Sequence, residues 1–233
     1  MSYLLLFIVS LISGLMVFWN QKLIKPWIPH LLSFSGAYLL SICFLHLLPD
    51  LLQGTTGSIG LFILIGFFLQ LILDYFSGGI EHGHTHVNKK RIGHFPFLIF
   101  LSLALHAFLE AFPIQEAEGS SSMKAYLIGL LFHKAPISFV LVSLLVAYQL
   151  KKSKILLGII VFSCIAPLGV FVGGNFHFPT AVFQNLFALS VGIILHLSTT
   201  ILLENNEEHR VEWKKLSPLL LGVFIALLSM LIH

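Results

Sequence analysis

The sequence is poor in charged residues and in cysteine. Only 10% of its 233 residues are charged, whereas soluble domains carry roughly 25%. The two cysteines, Cys43 and Cys164, both lie within apolar stretches, so we expect no disulfide framework. No loop is long enough to hold a second domain, and we expect residues 1–233 to form a single transmembrane domain.

Apolar residues, in contrast, are abundant. Hydrophobic residues make up 57% of the chain, which contains 22 phenylalanines, and the mean hydropathy is +0.95. A water-soluble fold of this size could not bury that much apolar surface, so we expect the lipid bilayer to be the main solvent. The formal net charge of +3 describes short polar loops, and we expect no nucleic-acid partner.

Apolar stretches of about 20 residues, the length that crosses the hydrocarbon core, recur along the chain. They predict an all-α, polytopic membrane helix bundle of eight transmembrane helices, in the plasma membrane or an inner membrane. The predicted spans are residues 3–19, 29–52, 58–76, 95–112, 124–149, 155–174, 180–203 and 216–232.

The basic residues give an independent prediction of orientation, because Lys and Arg accumulate in cytoplasmic loops. Of the 13 basic residues, only Lys124, the first residue of the fifth predicted span, borders an even-numbered loop, and only Lys134 lies deep inside a span. This distribution predicts that the odd-numbered loops are cytoplasmic and that both termini are outside. The basic residues of the odd-numbered loops are Lys22, Lys25, Lys89, Lys90, Arg91, Lys151, Lys152, Lys154, Arg210, Lys214 and Lys215.

Ionisable residues inside the predicted spans are few and patterned. His106 and Glu110 lie four residues apart in the fourth span, so their side chains share one helical face. An imidazole and a carboxylate so placed can supply two of the ligands of a zinc site. Alternatively, they form a structural hydrogen bond between helices. His133 in the fifth span can supply a third ligand, and the recurrence on adjacent spans favours metal binding.

Lys134, next to His133, has two interpretations. It could form a salt bridge that neutralises Glu110, or its ammonium group could occupy the place of a second cation, so that the site holds one metal ion.

At these residues the chain resembles the ZIP (Zrt/Irt-like) family of metal transporters over nearly its whole length. The matching segments are FLHLLPD, DYFSGGIEHGHTH, HAFLEA, HKAP, PLG and SVGIILHLSTTILLE. The resemblance implies an eight-helix transporter with outside termini and a transport site between spans four and five. It also implies sliding of spans one, four, five and six against the other four.

The chain departs from the common family pattern at Ala107, Lys134 and Ile137, where many members have further metal ligands. In this it resembles the subgroup with His-Lys in the fifth span and His-x-x-x-Glu in the fourth. That resemblance implies His106, Glu110 and His133 as the ligands of a mononuclear site.

A histidine-bearing loop, residues 77–94, is predicted to be cytoplasmic. Its alternating histidines, His82, His84 and His86, either bind the departing metal weakly or belong to a solvated polar linker.

Further polar residues lie near the ends of the spans. His46, Asp50 and His177 could form an outer entry relay, and Asp74 and Glu204 could accept the departing ion at the inner side. The alternative for all five is hydrogen bonding or solvation at helix ends.

The sequence thus predicts transport of Zn²⁺, or of Fe²⁺, Mn²⁺ or Cd²⁺, toward the cytoplasm. The metal is then the substrate, and we expect neither a cofactor nor an enzymatic activity. An intramembrane zinc-dependent lipid hydrolase is the alternative, since the same three ligands could activate a water. A homodimer is a further hypothesis.

Overall fold

The computed structural model describes residues 2–53, 57–82, 92–114, 120–204 and 213–230. The regular elements in these ranges are helices, so the chain is all-α, as the sequence predicted. The helices are α1 (Ser2–Ile24), α2 (Ile28–Ile42), α3 (Leu48–Leu52), α4 (Ile59–Ser77), α5 (Phe97–Ala111), α6 (Ser121–Ala147), α7 (Lys152–Asn175), α8 (Thr180–Glu204) and α9 (Trp213–Met230).

Within the described part of the chain, six helical stretches are long and apolar enough to cross a membrane. The first is the 51-residue stretch Ser2–Leu52, and a shorter apolar helix, Leu216–Met230, follows at the end of the chain. These helices make the chain an integral, multi-pass membrane protein. The number of crossings and the side of the bilayer at which each terminus lies stay predictions.

The stretch Ser2–Leu52 is interrupted at three places. Asn20 has non-helical dihedral angles, φ −144° and ψ 69°, and the 3₁₀ turn Lys25–Trp27, which contains Pro26, follows before α2. Between α2 and α3 lies a single π-turn, Cys43–Leu47, in which the Leu48 N–H donates to the carbonyl of Cys43. Pro49 follows this turn, and its ring nitrogen has no hydrogen to donate to the preceding turn.

Helix α4 ends at Gly78, which adopts the left-handed conformation with φ +70° and donates its N–H to the carbonyl of Asp74. A glycine in this position is a common helix terminator because it has no Cβ to clash. The chain then forms the 3₁₀ turn Ile80–His82, in which Ile80 and Glu81 are buried. The start of the histidine-bearing loop therefore packs into the bundle instead of forming a solvated linker.

The helices fall into two sets of close neighbours. In the first set, α1 packs on α6 and α7, and α5 packs on α7; in the second, α4 packs on α8, and α2 packs on α8 and α9. The two sets also contact each other, through α2 against α6 and α4 against α5. Glycines bring backbones together within each set. A Cβ added at Gly66 or Gly192 would lie 2.0 Å from a carbonyl oxygen across the α4–α8 contact, and one at Gly173 would lie 1.9 Å from the Phe112 carbonyl across α7–α5.

Candidate metal centre

Helices α5 and α6 bring the three predicted ligands together in the interior of the bundle. His106 and Glu110 lie one turn apart on α5, and His133 lies on α6. All three side chains are fully buried. Burying two imidazoles and a carboxylate inside a membrane protein costs free energy, and such residues are therefore candidates for a functional site.

The ligand atoms of the three side chains lie within 4.8 Å of one another. The Nε2 atom of His106 is 3.1 Å from Oε2 of Glu110, and the rings of His106 and His133 are nearly perpendicular, with centroids 5.9 Å apart. In a tetrahedral zinc site, ligand atoms that each lie about 2.0–2.1 Å from the metal are about 3.3 Å from one another. The 3.1 Å between His106 Nε2 and Glu110 Oε2 is close to this separation. Within the described residues, this is the single group of three or more His, Cys, Asp or Glu side chains with such geometry.

Lys134 lies on the other side of Glu110. Its ammonium group is buried and contacts Oε1 of Glu110, whereas Oε2 faces His106. The two oxygens of one carboxylate are therefore divided between a cationic side chain and the candidate ligand group.

The backbone around the site is fixed by local features of α6. Ser120 caps the helix, since its hydroxyl accepts a hydrogen bond from the N–H of Met123 at 3.1 Å. One turn further on, the Tyr126 hydroxyl donates to the carbonyl of Glu110 at 2.5 Å, which ties α6 to the end of α5. Sequence reasoning missed Tyr126, because its partner is a backbone carbonyl and such a bond leaves no motif.

A second polar chain reaches the site from α4. The Nδ1 atom of His106 is 3.0 Å from Oε1 of Gln70, and the Nε2 group of Gln70 donates to Oε2 of Glu81. Both Gln70 and Glu81 are fully buried. Sequence reasoning missed Gln70, although a lone amide in the apolar helix ILIGFFLQLIL was a detectable signal, since polar side chains are rare there.

The predicted entry residues lie in different surroundings, and their role as a relay stays a prediction. His46 is buried and lies 3.1 Å from the Ser229 hydroxyl of α9. Asp50 and His177 are exposed, on α3 and in the segment between α7 and α8, respectively. The structure therefore does not bring the three together as a cluster.

The predicted exit residues lie near the ends of α4 and α8, and two of the three loop histidines lie outside the described residues. Asp74 is half-buried near the end of α4, and Glu204 is the last residue of α8. His82 ends the turn Ile80–His82, whereas His84 and His86 lie outside the described residues. Their proposed role in metal binding stays a prediction.

Comparison with known proteins agrees with the geometry. Residues 80–230 match the family described as "ZIP Zinc transporter". The chain is 27% identical over 186 residues to "Zinc transporter ZIP1" of Danio rerio, and the aligned region covers 60% of this chain and 62% of that protein. It is 27% identical over 115 residues to "Zinc transporter ZIP9" of Micropogonias undulatus, 48% of this chain and 37% of that protein.

A third relative, "Zinc transporter ZIP9-B" of Xenopus laevis, is 28% identical over 113 residues, 47% of this chain and 37% of that protein. The chain thus spans less than two thirds of the length of these relatives. The family match covers more than half of the chain and includes α5, α6 and the whole candidate ligand group. The chain belongs to the ZIP zinc transporter family.

Proposed function

We propose that this protein carries a divalent transition metal ion, zinc first among candidates, across a membrane toward the cytoplasm. The observation that carries the proposal is the convergence of His106, Glu110 and His133, fully buried between two helices of an apolar bundle, with ligand atoms within 4.8 Å. Imidazole and carboxylate ligands suit zinc and also accept Fe²⁺, Mn²⁺ and Cd²⁺. The names of the relatives favour zinc within this group.

The site is proposed to hold one metal ion. Lys134 contacts Oε1 of Glu110 from the side opposite His106, so its ammonium group occupies the position from which a second cation would share the carboxylate. The same contact neutralises Glu110. The two interpretations of Lys134, as a salt-bridge partner of Glu110 and as the substitute for a second cation, are therefore compatible. This agrees with the resemblance to the subgroup with His-Lys in the fifth span.

Eight crossings with both termini outside are part of the proposal. A straight helix of 51 residues, the length of Ser2–Leu52, would extend about 75 Å, more than twice the hydrocarbon thickness of roughly 30 Å. The kink at Asn20 and the turn Lys25–Trp27 offer a place to divide it into two crossings. With α9 this gives eight spans, and all basic residues except Lys124 and Lys134 then lie on the cytoplasmic side.

Alternating access is proposed to arise from sliding between the two helix sets. Within each set, glycines allow direct backbone contact, as at Gly66–Leu189 and Gly173–Phe112. Between the sets, the three atoms nearest to a Cβ added at Gly129 of α6 are side-chain atoms of Tyr38 and Leu39 on α2. Side-chain contacts of this kind adjust more easily than direct backbone contacts, which supports movement at the boundary between the sets.

The lipid hydrolase considered as an alternative is not favoured. Hydrolysis needs a metal-bound water and a carboxylate or imidazole base beside it. The two oxygens of Glu110 already face His106 and Lys134, and the neighbouring carboxylate of Glu81 accepts from Gln70. We extend the proposal neither to a homodimer nor to a particular membrane.

The test is metal uptake into vesicles that contain the purified protein. His106→Ala, Glu110→Gln and His133→Ala should each reduce zinc uptake at least tenfold, because each removes one of three ligands. His94→Ala, a histidine exposed in a loop, is the matched control and should transport normally. Uptake by the three ligand variants at the level of the control would refute the proposal.

A further inference from the structure

The polar pair Gln70 and Glu81 lies outside the ligand group but touches it. Gln70 comes from the middle of α4, and Glu81 from the 3₁₀ turn that packs back into the bundle after α4. Both side chains are fully buried and hydrogen-bonded to each other, and Gln70 also contacts His106. The proposed transport does not by itself require either residue.

The chemistry of the pair fixes the orientation of the Gln70 amide. A carboxylate only accepts hydrogen bonds, so the nitrogen of Gln70 must face Glu81 and its carbonyl oxygen must face His106. A carbonyl oxygen also only accepts, so Nδ1 of His106 carries the hydrogen of the 3.0 Å contact. The Nε2 lone pair of a neutral His106 then points toward Oε2 of Glu110, 3.1 Å away.

Two acceptor atoms that face each other at this distance repel unless a proton or a metal ion lies between them. The orientation imposed by Gln70 therefore prepares Nε2 of His106 and Oε2 of Glu110 to share a metal ion. Ligating histidines commonly donate their second N–H to a carboxylate or a carbonyl, which sets their tautomer and ring orientation. Here the amide of Gln70 lies between the imidazole of His106 and the carboxylate of Glu81.

We infer that Gln70 and Glu81 are positioning residues that hold His106 with Nδ1 protonated and Nε2 directed at the transported ion. This inference rests on the proposed function, because it assigns the metal to Nε2 of His106. Glu81 polarises the Gln70 amide, and the Gln70 carbonyl in turn makes His106 a stronger ligand. Loss of such outer partners typically weakens metal affinity by about 10–100-fold.

Zinc binding to the purified full chain in detergent tests the inference. Gln70→Met/Glu81→Met replaces both residues by apolar side chains of similar length, so neither an amide nor a carboxylate is left buried without its partner. The one contact that the change takes from the site is the acceptor of His106 Nδ1. We expect it to bind one zinc ion with an affinity lowered by about 10–100-fold. The exchange variant Gln70→Glu/Glu81→Gln again presents an acceptor to His106 and should bind within about threefold of the unaltered protein.

Ser190→Ala is the matched control. Ser190 of α8 donates to the carbonyl of Leu109 on α5 at 2.7 Å, so the change removes a hydrogen bond between helices beside the site without touching a ligand atom. It should bind zinc normally. Wild-type affinity in the apolar double variant, or an equal loss in the exchange variant and in Ser190→Ala, would overturn the inference.

A spectroscopic measurement covers the case in which the apolar variant fails to fold. In the zinc-loaded unaltered protein labelled with ¹⁵N-histidine, the His106 signals, identified by their absence in His106→Asn, should show Nδ1 protonated and Nε2 bound to zinc. Coordination through Nδ1 would overturn the inference. Absence of zinc binding in the unaltered protein, or unchanged affinity in His106→Ala, would instead refute the proposed function.

Discussion

Lys134 and His106 contact different oxygens of the same buried carboxylate, that of Glu110. Lys134 comes from α6 and lies 24 residues from Glu110 in sequence, whereas His106 lies one turn away on the same helix. In the proposed transport site, each oxygen has a separate role: Oε1 pairs with the Lys134 ammonium group, and Oε2 is left to the ion. This division gives the carboxylate a neutralising partner whether or not a metal is bound.

Lys134→Asp should convert the site into one that binds two metal ions. The change replaces a positive charge by a carboxylate beside Glu110, and two adjacent carboxylates attract a second divalent cation. Zinc per chain, measured by mass spectrometry of the purified protein, should rise from one to two. Lys124→Asp, the same change at an exposed position, should leave the ratio at one. Unchanged stoichiometry and uptake in Lys134→Asp would contradict a role for Lys134 as a second cation.

Glu110→Gln should destabilise the protein as well as stop transport. It leaves the Lys134 ammonium buried without its counter-charge, and breaking a buried ion pair from one side typically costs about 3–5 kcal/mol. The double variant Glu110→Gln/Lys134→Met removes the stranded charge. Thermal unfolding in detergent should show recovery of most of that loss in the double variant, while vesicle uptake stays absent. Equal melting temperatures for the single and double variants would argue against the buried pair.

Gly173→Ala should destabilise the contact between α7 and α5. An added Cβ would lie 1.9 Å from the carbonyl oxygen of Phe112, so the helices must separate, and overpacking of this kind costs about 1–3 kcal/mol. Gly60→Ala on α4 is the matched control, since nothing lies within 4 Å of its added Cβ. Melting temperatures should fall in Gly173→Ala and be unchanged or raised in Gly60→Ala, because alanine favours a helix more than glycine does.

Replacement of His82, His84 and His86 by serine should separate release of the ion from its transport. Alternating histidines bind metal weakly, so their loss should slow release or regulation and leave the His106 site competent. Time-resolved uptake by variants expressed at equal levels is the measurement. Complete loss of uptake would contradict this separation and would assign the loop histidines to the transport site.

Several features could be predicted from the sequence because they depend on local pattern. The apolar stretches predicted an all-α membrane protein, and the described helices agree with that class. The i, i+4 spacing predicted that His106 and Glu110 share a helical face, as they do on α5. The family resemblance, resting on short segments such as HAFLEA and HKAP, agrees with the match over residues 80–230.

Other features depended on how the helices pack. The Gln70–His106 contact joins residues 36 positions apart, and no periodicity within α4 or α5 specifies which faces meet. The burial of Glu81 differed from the expectation of a polar linker, because the turn after Gly78 directs Ile80 into the apolar interior and takes Glu81 with it. Likewise, packing places the predicted entry residues in different surroundings: His46 is buried against Ser229, whereas Asp50 and His177 are exposed, and their entry role stays a prediction.

The sequence by itself determined that this protein is a helical membrane protein, and it indicated which short segments hold the candidate metal ligands. These follow from composition and helical period, which act over a few residues. Tertiary structure decided the contacts between helices: it brings His133 and Lys134 to Glu110, which the sequence offered as hypotheses, and it brings Gln70 to His106, which the sequence did not predict. Such contacts are set by the packing of whole helix faces, which short-range pattern does not encode.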